Sequence, residues 1–519
     1  MSDPAARNWW ESPGFDLALV LAAAIPLLLP EVPPLVDVPG HMGRYKVELD
    51  LAGAPTLQQF YNFSWAITGN LGGDLLVIPL TRLMGLEAAV KLICVLIPCL
   101  TVAGFLWVAR EVHGRVPPTA LFAVPLAWNF PLHYGFLNFT LAMALCFLAF
   151  GLWLRLAKLG RFRLRAALFV PLSSAIWLAH TFGWASLAVM GFSAELVRQH
   201  DKGGGWWPAL VRTGVQCLSL ATPILLMILW RSGNVEGDTT GFFKWIWKLK
   251  WIAMALRDRW LAFDAASFAV IGALILWAIR SRRLTYSRNL AASALIFAIV
   301  FALLPRKIFG SFYADMRLVP YMLAIAVIGI RLREGASRRF AATIAAAALA
   351  FILVRTAATT VSLHLFDRDY DRELAAVEHI PHGARLLSLV GRRCGDPWPM
   401  VRNGHLPAMA LVRKEAFSND QWTTAGAQLL SIAYAPGGFF VRDPTQYVTA
   451  TPCPHEKWLS LNQTLARFPR TAFDYVWMIE PPAHDPRLLA GLRPIWRSGS
   501  SVLYVVADRE PVSLPGEAE

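Results

Sequence analysis

The strongest constraint on this chain is a series of apolar runs of near-bilayer length, joined by short loops rich in Arg and Lys. The runs fall at about 15–36, 88–109, 118–134, 136–155, 165–181, 183–198, 207–230, 263–280, 289–305, 316–331 and 340–362. A helix crosses the hydrocarbon core with about 20 apolar residues, fewer where the bilayer thins. Arg110 to Arg115, Arg155 to Arg165, Arg280 to Arg288 and Arg331 to Arg339 lie between runs. Short cationic loops of this kind mark the cytoplasmic side. Composition agrees, because 16% of the residues are charged and the chain carries 21 Trp and 30 Phe, whereas soluble domains are about 25% charged. A soluble enzyme and a disordered chain are excluded. The net charge of +14 is spread over the loops and not gathered on one module, so it points away from nucleic acid. The expected fold class is a polytopic α-helical membrane protein with about eleven transmembrane helices.

Sidedness follows from the same loops. The first run is preceded by Arg7 and lacks a convincing cleavage site, so it reads as an uncleaved signal-anchor with a cytoplasmic N-terminus. Asp37 then emerges outside, at the start of a long first external loop, 37–87. Within that loop the apolar piece Leu75–Leu86 carries Arg82 and is too short to span, which predicts a helix lying in the interface. The alternation divides the chain into a transmembrane domain, 1–365, and an extracytoplasmic domain, 366–519. In the latter, Leu386–Val390, Tyr475–Ile479 and Val502–Val506 are short apolar runs bounded by turn formers, the pattern of buried strands. Arg372–Ile380 reads as a helix closed by Pro381 and Gly383. A small α/β domain with a core of its own is expected. It holds two cysteines, Cys394 and Cys453, and outside the cytoplasm such a pair can form a disulfide. No Cys-x-x-Cys pair exists to suggest zinc.

Three stretches could carry chemistry. In Val36-Asp37-Val38-Pro39-Gly40-His41-Met42-Gly43-Arg44-Tyr45 an acid directly follows the first run. A helix starting near Pro39 would project His41, Arg44, Tyr45 and Glu48 from one face, with Asp37 at its N-terminal end. The competing role for Asp37 is a helix cap. The second stretch, between the ninth and tenth runs, places Arg306, Lys307 and Arg317 around a turn that includes Tyr313 and Asp315. Three cations there can bind phosphate, with Tyr313 and Asp315 orienting Arg317; the plainer role is lipid anchoring by snorkelling. The third repeats aromatics at Phe243, Trp247 and Trp251 beside Lys244 and Lys248, the pattern of an amphipathic interfacial helix. Its alternatives are anchoring and guidance of an anionic lipid. His133, Asn138 and His180, near external ends of runs, read first as hydrogen-bonded packing residues.

Together, an acid after the first span, a long first external loop with an interfacial helix, about eleven spans and an extracytoplasmic tail resemble the GT-C glycosyltransferases. That superfamily includes the protein O-mannosyltransferases and the lipid A aminoarabinose transferases. Gly85-Leu86-Glu87-Ala88-Ala89-Val90-Lys91-Leu92 is similar to the family's frequent start of its second span, with Lys91 where Arg is common. Asp-Val-Pro-Gly-His-Met-Gly-Arg, 37–44, resembles an Asp-x-Pro-x-His-x-x-Arg signature of bacterial members.

The resemblance implies a bacterial inner-membrane, multi-pass enzyme with a periplasmic tail. Such an enzyme moves a hexosyl or pentosyl group from a polyprenyl-phosphate carrier to a glycan, lipid or protein acceptor at the external face, with inversion. Asp37 would be the catalytic base for the acceptor hydroxyl, and His41, Arg44 and Tyr45 would bind substrate. Arg306, Lys307, Tyr313, Asp315 and Arg317 would serve the phosphate, whose developing charge needs cations. The first loop has no Asp-x-Asp signature, so no metal ligand is assigned and a divalent ion is left open. Two other classes compete: a glycolipid transporter or flippase, and a noncatalytic membrane assembly subunit. No repeat between the halves favours the transporter. Gly-x-x-x-x-Gly-Lys, His-Glu-x-x-His and Gly-x-Ser-x-Gly motifs do not occur, leaving ATP-driven, zinc-protease and serine-hydrolase chemistry without motif support.

Overall fold

The computed structural model describes residues 8–231, 238–395, 397–423, 428–454, 456 and 458–512. Arg7 lies outside the described residues. The chain packs as two compact units: Met1–Leu29, Ile67–Leu76 and Leu92–Ser362 form one, and Pro30–Ala66, Val77–Lys91 and Leu363–Glu519 form the other.

Helices dominate the first unit. Among the described residues, five helices in the chain are long and apolar enough to cross a membrane: Leu86–His113, Leu137–Lys158, Phe162–Ala179, Leu261–Arg280 and Arg338–His379. The run at 183–198 lies in an unbroken helix, Thr181–His200; several other expected runs are shorter or interrupted, and proline is the recurrent cause, since it lacks the N–H a helix interior needs. The run at 118–134 becomes a 3-10 segment, Pro118–Ala127, and a five-residue helix, Phe130–Tyr134. The run at 207–230 divides into Trp206–Cys217 and Pro223–Arg231. The first run is helical over Pro13–Ala22, with a 3-10 turn at Ile25–Leu27.

Helix Leu137–Lys158 packs against Phe162–Ala179 and Thr181–His200. Small residues make this approach close: a Cβ at Gly183 would lie 2.6 Å from the Ala142 Cβ, the small-residue contact that lets helix backbones meet in a membrane. A second departure from expectation is the helix Arg338–Leu374. It runs uninterrupted because no Gly or Pro occurs within it. The separate helix expected at Arg372–Ile380 is therefore its last turn plus a 3-10 segment, Ala375–His379.

In the second unit, a six-stranded mixed sheet runs in the order Leu492–Ser498, Ser501–Val506, Tyr475–Ile479, Leu386–Gly391, Tyr447–Thr449, Leu459–Ser460. The last four strands in that order are parallel, and the first two join them antiparallel. Tail residues alone do not fill the core. Leu57, Phe60 and Tyr61 of the first loop lie in one cluster with Leu387, Phe417, Phe473 and Val476. Strand Tyr61–Phe63 pairs antiparallel with Leu430–Ile432. Residues 30–66 and 77–91 thus pack in one unit with the tail, whereas the composition change near Phe366 had marked the tail as separate. Cys394 and Cys453 form a disulfide, with Cα atoms 5.6 Å apart. The other described cysteines, Cys94, Cys99, Cys146 and Cys217, are free thiols.

Candidate active site

The predicted residues separate into two groups by unit: Asp37, His41, Arg44 and Tyr45 in the second, and Arg306, Lys307, Tyr313, Asp315 and Arg317 in the first.

Asp37 is the N-cap residue of helix Val38–Asp50, whose first turn is preorganised by Pro39. The His41 amide donates to the Asp37 carbonyl at 3.0 Å. The Asp37 side chain, however, makes no capping hydrogen bond, so the cap is formed by backbone only. Asp37 and His41 are half-buried and one helical turn apart on one face. Arg44 and Tyr45, on the same helix, are 2% and 0% exposed. The Arg44 guanidinium lies 5.1 Å from the Tyr45 ring centroid. Both support the helix from within.

Tail loops close around this helix. The His405 amide donates to Gln446 Oε1 at 3.1 Å, its Nδ1 donates to the Asp420 carbonyl at 2.7 Å, and its Nε2 faces Asp443 at 3.6 Å. The His405 ring packs on Trp422, centroids 4.3 Å apart, and Trp422 packs on His41 at 5.1 Å. Burial raises the Asp420 carboxyl to about 6, opposed by His405. Burial also raises the Tyr447 phenol, and the charges of Asp443, Asp37 and Asp420 push the same way against Arg392.

In the first unit, the cationic turn differs in detail from expectation. Arg306 stacks on Trp247, 4.0 Å from the ring centroid, and lies 5.6 Å from the centroids of Trp251 and Tyr313. Lys307 pairs with Asp238, and its ammonium is 4.9 Å from the Phe312 centroid. Tyr313 has a left-handed backbone, φ 61°, unusual for a bulky residue. Arg317 donates to Ser311 Oγ at 3.2 Å and to the Phe312 carbonyl at 3.4 Å, over the Phe136 ring. Asp315 is buried and pairs with Lys248 at 3.4 Å. Lys248 also donates to the carbonyls of Phe301 and Leu304 at 2.6 and 2.8 Å. Lys248 is therefore interior, not a lipid-facing anchor, although Trp245, Ile246 and Leu249 of its helix Trp245–Ala253 are exposed.

Sequence reasoning missed further buried charges. Arg355 bonds Asp264 at 2.8 Å and the Leu256 carbonyl at 3.1 Å, and the Asp258 amide donates to Asp264 at 2.9 Å. His133 Nδ1 lies 4.0 Å from Asp258, which places this histidine in a charged network. Intramembrane ionisable groups are costly and mark functional positions; the Arg257-Asp258-Arg259 triplet was the available signal. His405, Asp420, Asp443 and Trp422 were missed too, with no local motif to find them. Asn138 donates to the Asn70 carbonyl at 2.7 Å and accepts from the Gly73 amide, a packing role. Among the described residues, no group of three or more His, Cys, Asp or Glu is placed to hold a metal ion.

No protein-family model matches the chain, and no curated protein sequence matches it. Two solved structures are similar in fold. They are ArnT from Cupriavidus metallidurans in the apo state, with a TM-score of 0.49, and the same protein bound to undecaprenyl phosphate, at 0.48. Each is 13% identical, with 95% of this chain and 97% of that chain covered. A likeness at this level carries nothing about individual residues.

Proposed function

We propose that this protein is a membrane glycosyltransferase of the GT-C kind, transferring a hexosyl or pentosyl group from a polyprenyl-phosphate carrier to an acceptor at the external face, with inversion. The bound undecaprenyl phosphate of the similar ArnT structure is the lipid class this reading invokes. The observation that carries the reading is the position of Asp37: half-buried at the start of helix Val38–Asp50, one turn from His41 on the same face. A carboxylate at this position would serve as the general base for the acceptor hydroxyl. His41 would contact substrate from the next turn, while Arg44 and Tyr45 hold that turn. Arg306, Lys307 and Arg317, set by Tyr313 and by the Lys248–Asp315 pair, would stabilise the phosphate leaving group. The remaining apolar runs complete the spans, the N-terminus lies in the cytoplasm, and the tail is periplasmic. The domain division is then functional: the membrane body is the 1–365 portion, and 366–519 is the α/β module joined to the first loop.

Asp37→Asn preserves shape and removes proton affinity. Transfer should fall about 10²–10⁴-fold, while polyprenyl-phosphate binding to the purified protein is retained. Lys307→Ala or Arg317→Ala should weaken lipid-phosphate binding as well as transfer. Wild-type transfer by a folded Asp37→Asn protein would remove the base assignment.

A further inference from the structure

Two of the basic loops, 280–288 and 331–339, are joined in the first unit by a two-stranded ribbon, in which Leu284–Tyr286 pairs antiparallel with Ile330–Leu332. The ribbon sits where Leu261–Arg280 ends and Arg338–His379 begins, both long and apolar enough to cross a membrane. Alternate residues of a strand point to opposite faces. Leu284 and Ile330 are fully buried on the inner face, so Arg331 and its partner Thr285 occupy the outer one. The Arg333 amide donates to the Arg283 carbonyl at 2.9 Å, which extends the register by one pair and sets these two arginines opposite each other on that outer face. Arg283, Arg331 and Arg333 are all exposed. Like charges directly across a ladder destabilise it, and no carboxylate relieves these. Glu334 is the one acid of the two loops; among the described residues it forms no ion pair, nor do the three arginines. Asp201 is taken by Arg288, at 2.5 Å.

Apolar surface adjoins this cationic face. The Arg283 guanidinium lies 5.2 Å from the Phe340 ring centroid, and Phe340 packs edge-on against Trp277 at 5.8 Å. Trp277 is exposed with Leu276 and Ile279 on the last turns of Leu261–Arg280. Guanidinium forks match phosphate oxygens two at a time, and aromatic side chains at a span end sit at headgroup depth. We propose that the ribbon binds an anionic glycerophospholipid, its phosphate among Arg283, Arg331 and Arg333 and its chains along the Trp277 flank. A free anion would use the cations alone, whereas a phospholipid uses both the cations and the apolar flank that Phe340 joins to them. Basic pockets at span ends bind headgroups of this kind. A lipid with two phosphates engages more of the guanidinia, so cardiolipin should bind more tightly than phosphatidylglycerol. The site stands whether or not the protein transfers sugar.

The full-length protein, purified in detergent and delipidated, is titrated with cardiolipin, phosphatidylglycerol and phosphatidylcholine, and bound lipid is counted by native mass spectrometry. Inorganic phosphate is added as a competitor. Wild type should bind the two anionic lipids at least about tenfold more tightly than phosphatidylcholine, and inorganic phosphate should not displace them. Arg283→Gln with Arg331→Gln should abolish that preference. Arg161→Gln with Arg163→Gln, which removes two exposed arginines of another basic loop, should leave it intact. Arg283→Lys with Arg331→Lys keeps both charges without the forks, so cardiolipin binding should weaken but stay above that of phosphatidylcholine. The lipid site is overturned if wild type binds phosphatidylcholine as tightly as cardiolipin, or if inorganic phosphate displaces the anionic lipids. It is equally overturned if the folded glutamine pair binds cardiolipin as wild type does, or if the Arg161 and Arg163 pair loses as much. Where the glutamine pair does not fold, the lysine pair decides, and wild-type affinity for cardiolipin in that variant overturns the site.

Discussion

A carboxylate at a helix start usually stabilises the helix, and at Asp37 that contribution is missing. Capping by a side chain is worth about 1 kcal/mol; here only the Asp37 carbonyl takes part, accepting from the His41 amide at 3.0 Å. Asp420 titrates in the opposite sense to a paired surface acid. Its folded-state pKa is raised from 3.8 to about 6 by burial. Between those values the folded protein binds more protons than the unfolded chain, so the contribution is fully favourable below pH 3.8 and is lost as pH rises through 6. Asp420→Asn should therefore stabilise the protein at pH 8 by on the order of 2–3 kcal/mol and leave it unchanged at pH 3.5, as read by thermal unfolding at both values. Loss of stability at pH 8 would contradict the burial argument. The two acids differ in legibility for a physical reason. Asp37 follows an apolar run, where any charge stands out. Asp420 lies in Ser418-Asn419-Asp420-Gln421, a polar stretch that reads as a solvated loop, yet every member is 0% or 1% exposed. Its burial is compensated by distant partners: Tyr61 Oη for the Ser418 backbone, and Ser388 backbone for the Asn419 amide.

At the scale of elements, local pattern succeeded where one segment contains its own cause. The strands Leu386–Gly391, Tyr475–Ile479 and Ser501–Val506 announce themselves as short apolar runs between turn formers, because a strand buried inside a sheet needs little else. Hydropathy failed at 118–134, where the average is apolar but Pro117, Pro118, Pro125 and Pro131 deny helix hydrogen bonds. It failed differently at Trp245–Ala253, whose cationic face suggested lipid anchoring although Lys248 turns inward to Asp315; the partner lies 67 residues away. The Cys394–Cys453 bridge is an element-scale tie. Val390 pairs with Tyr447 and Gly391 with Val448 at the ends of adjacent parallel strands, and the cysteines follow each strand a few residues later. The bridge closes a loop with a sequence separation of 59, and removing it should cost roughly 2–4 kcal/mol. Cys453→Ser should lower the unfolding temperature of the second unit and expose the Cys394 thiol to alkylation. An unchanged transition with both thiols reactive in the wild type would refute the bridge.

At the scale of the molecule, the composition change near Phe366 is real, but the folding unit does not begin there. Three-residue strands such as Tyr61–Phe63 and Leu430–Ile432 carry no usable periodicity, and their pairing spans most of the chain. Sequence therefore could not show that the first loop belongs with the tail. Without the loop, the cluster loses Val47, Ala54, Leu57, Phe60 and Tyr61, all at most 8% exposed. Truncating even one large core side chain to Ala costs about 2–5 kcal/mol, and a domain's whole stability is about 5–15 kcal/mol. A fragment covering 363–512, produced with its disulfide oxidised, should accordingly lack cooperative unfolding and bind a hydrophobic dye, the behaviour of a chain whose specific packing is lost. Adding residues 30–66 to the fragment through a flexible linker restores the missing strand and the Leu57, Phe60 and Tyr61 side chains, and should recover a sharp transition. Near-ultraviolet circular dichroism with thermal scans separates the two outcomes. If the 363–512 fragment alone unfolds cooperatively with native-like aromatic signals, the tail is an autonomous domain. The Asp37 helix would then be docked on a finished surface, not built into a shared core.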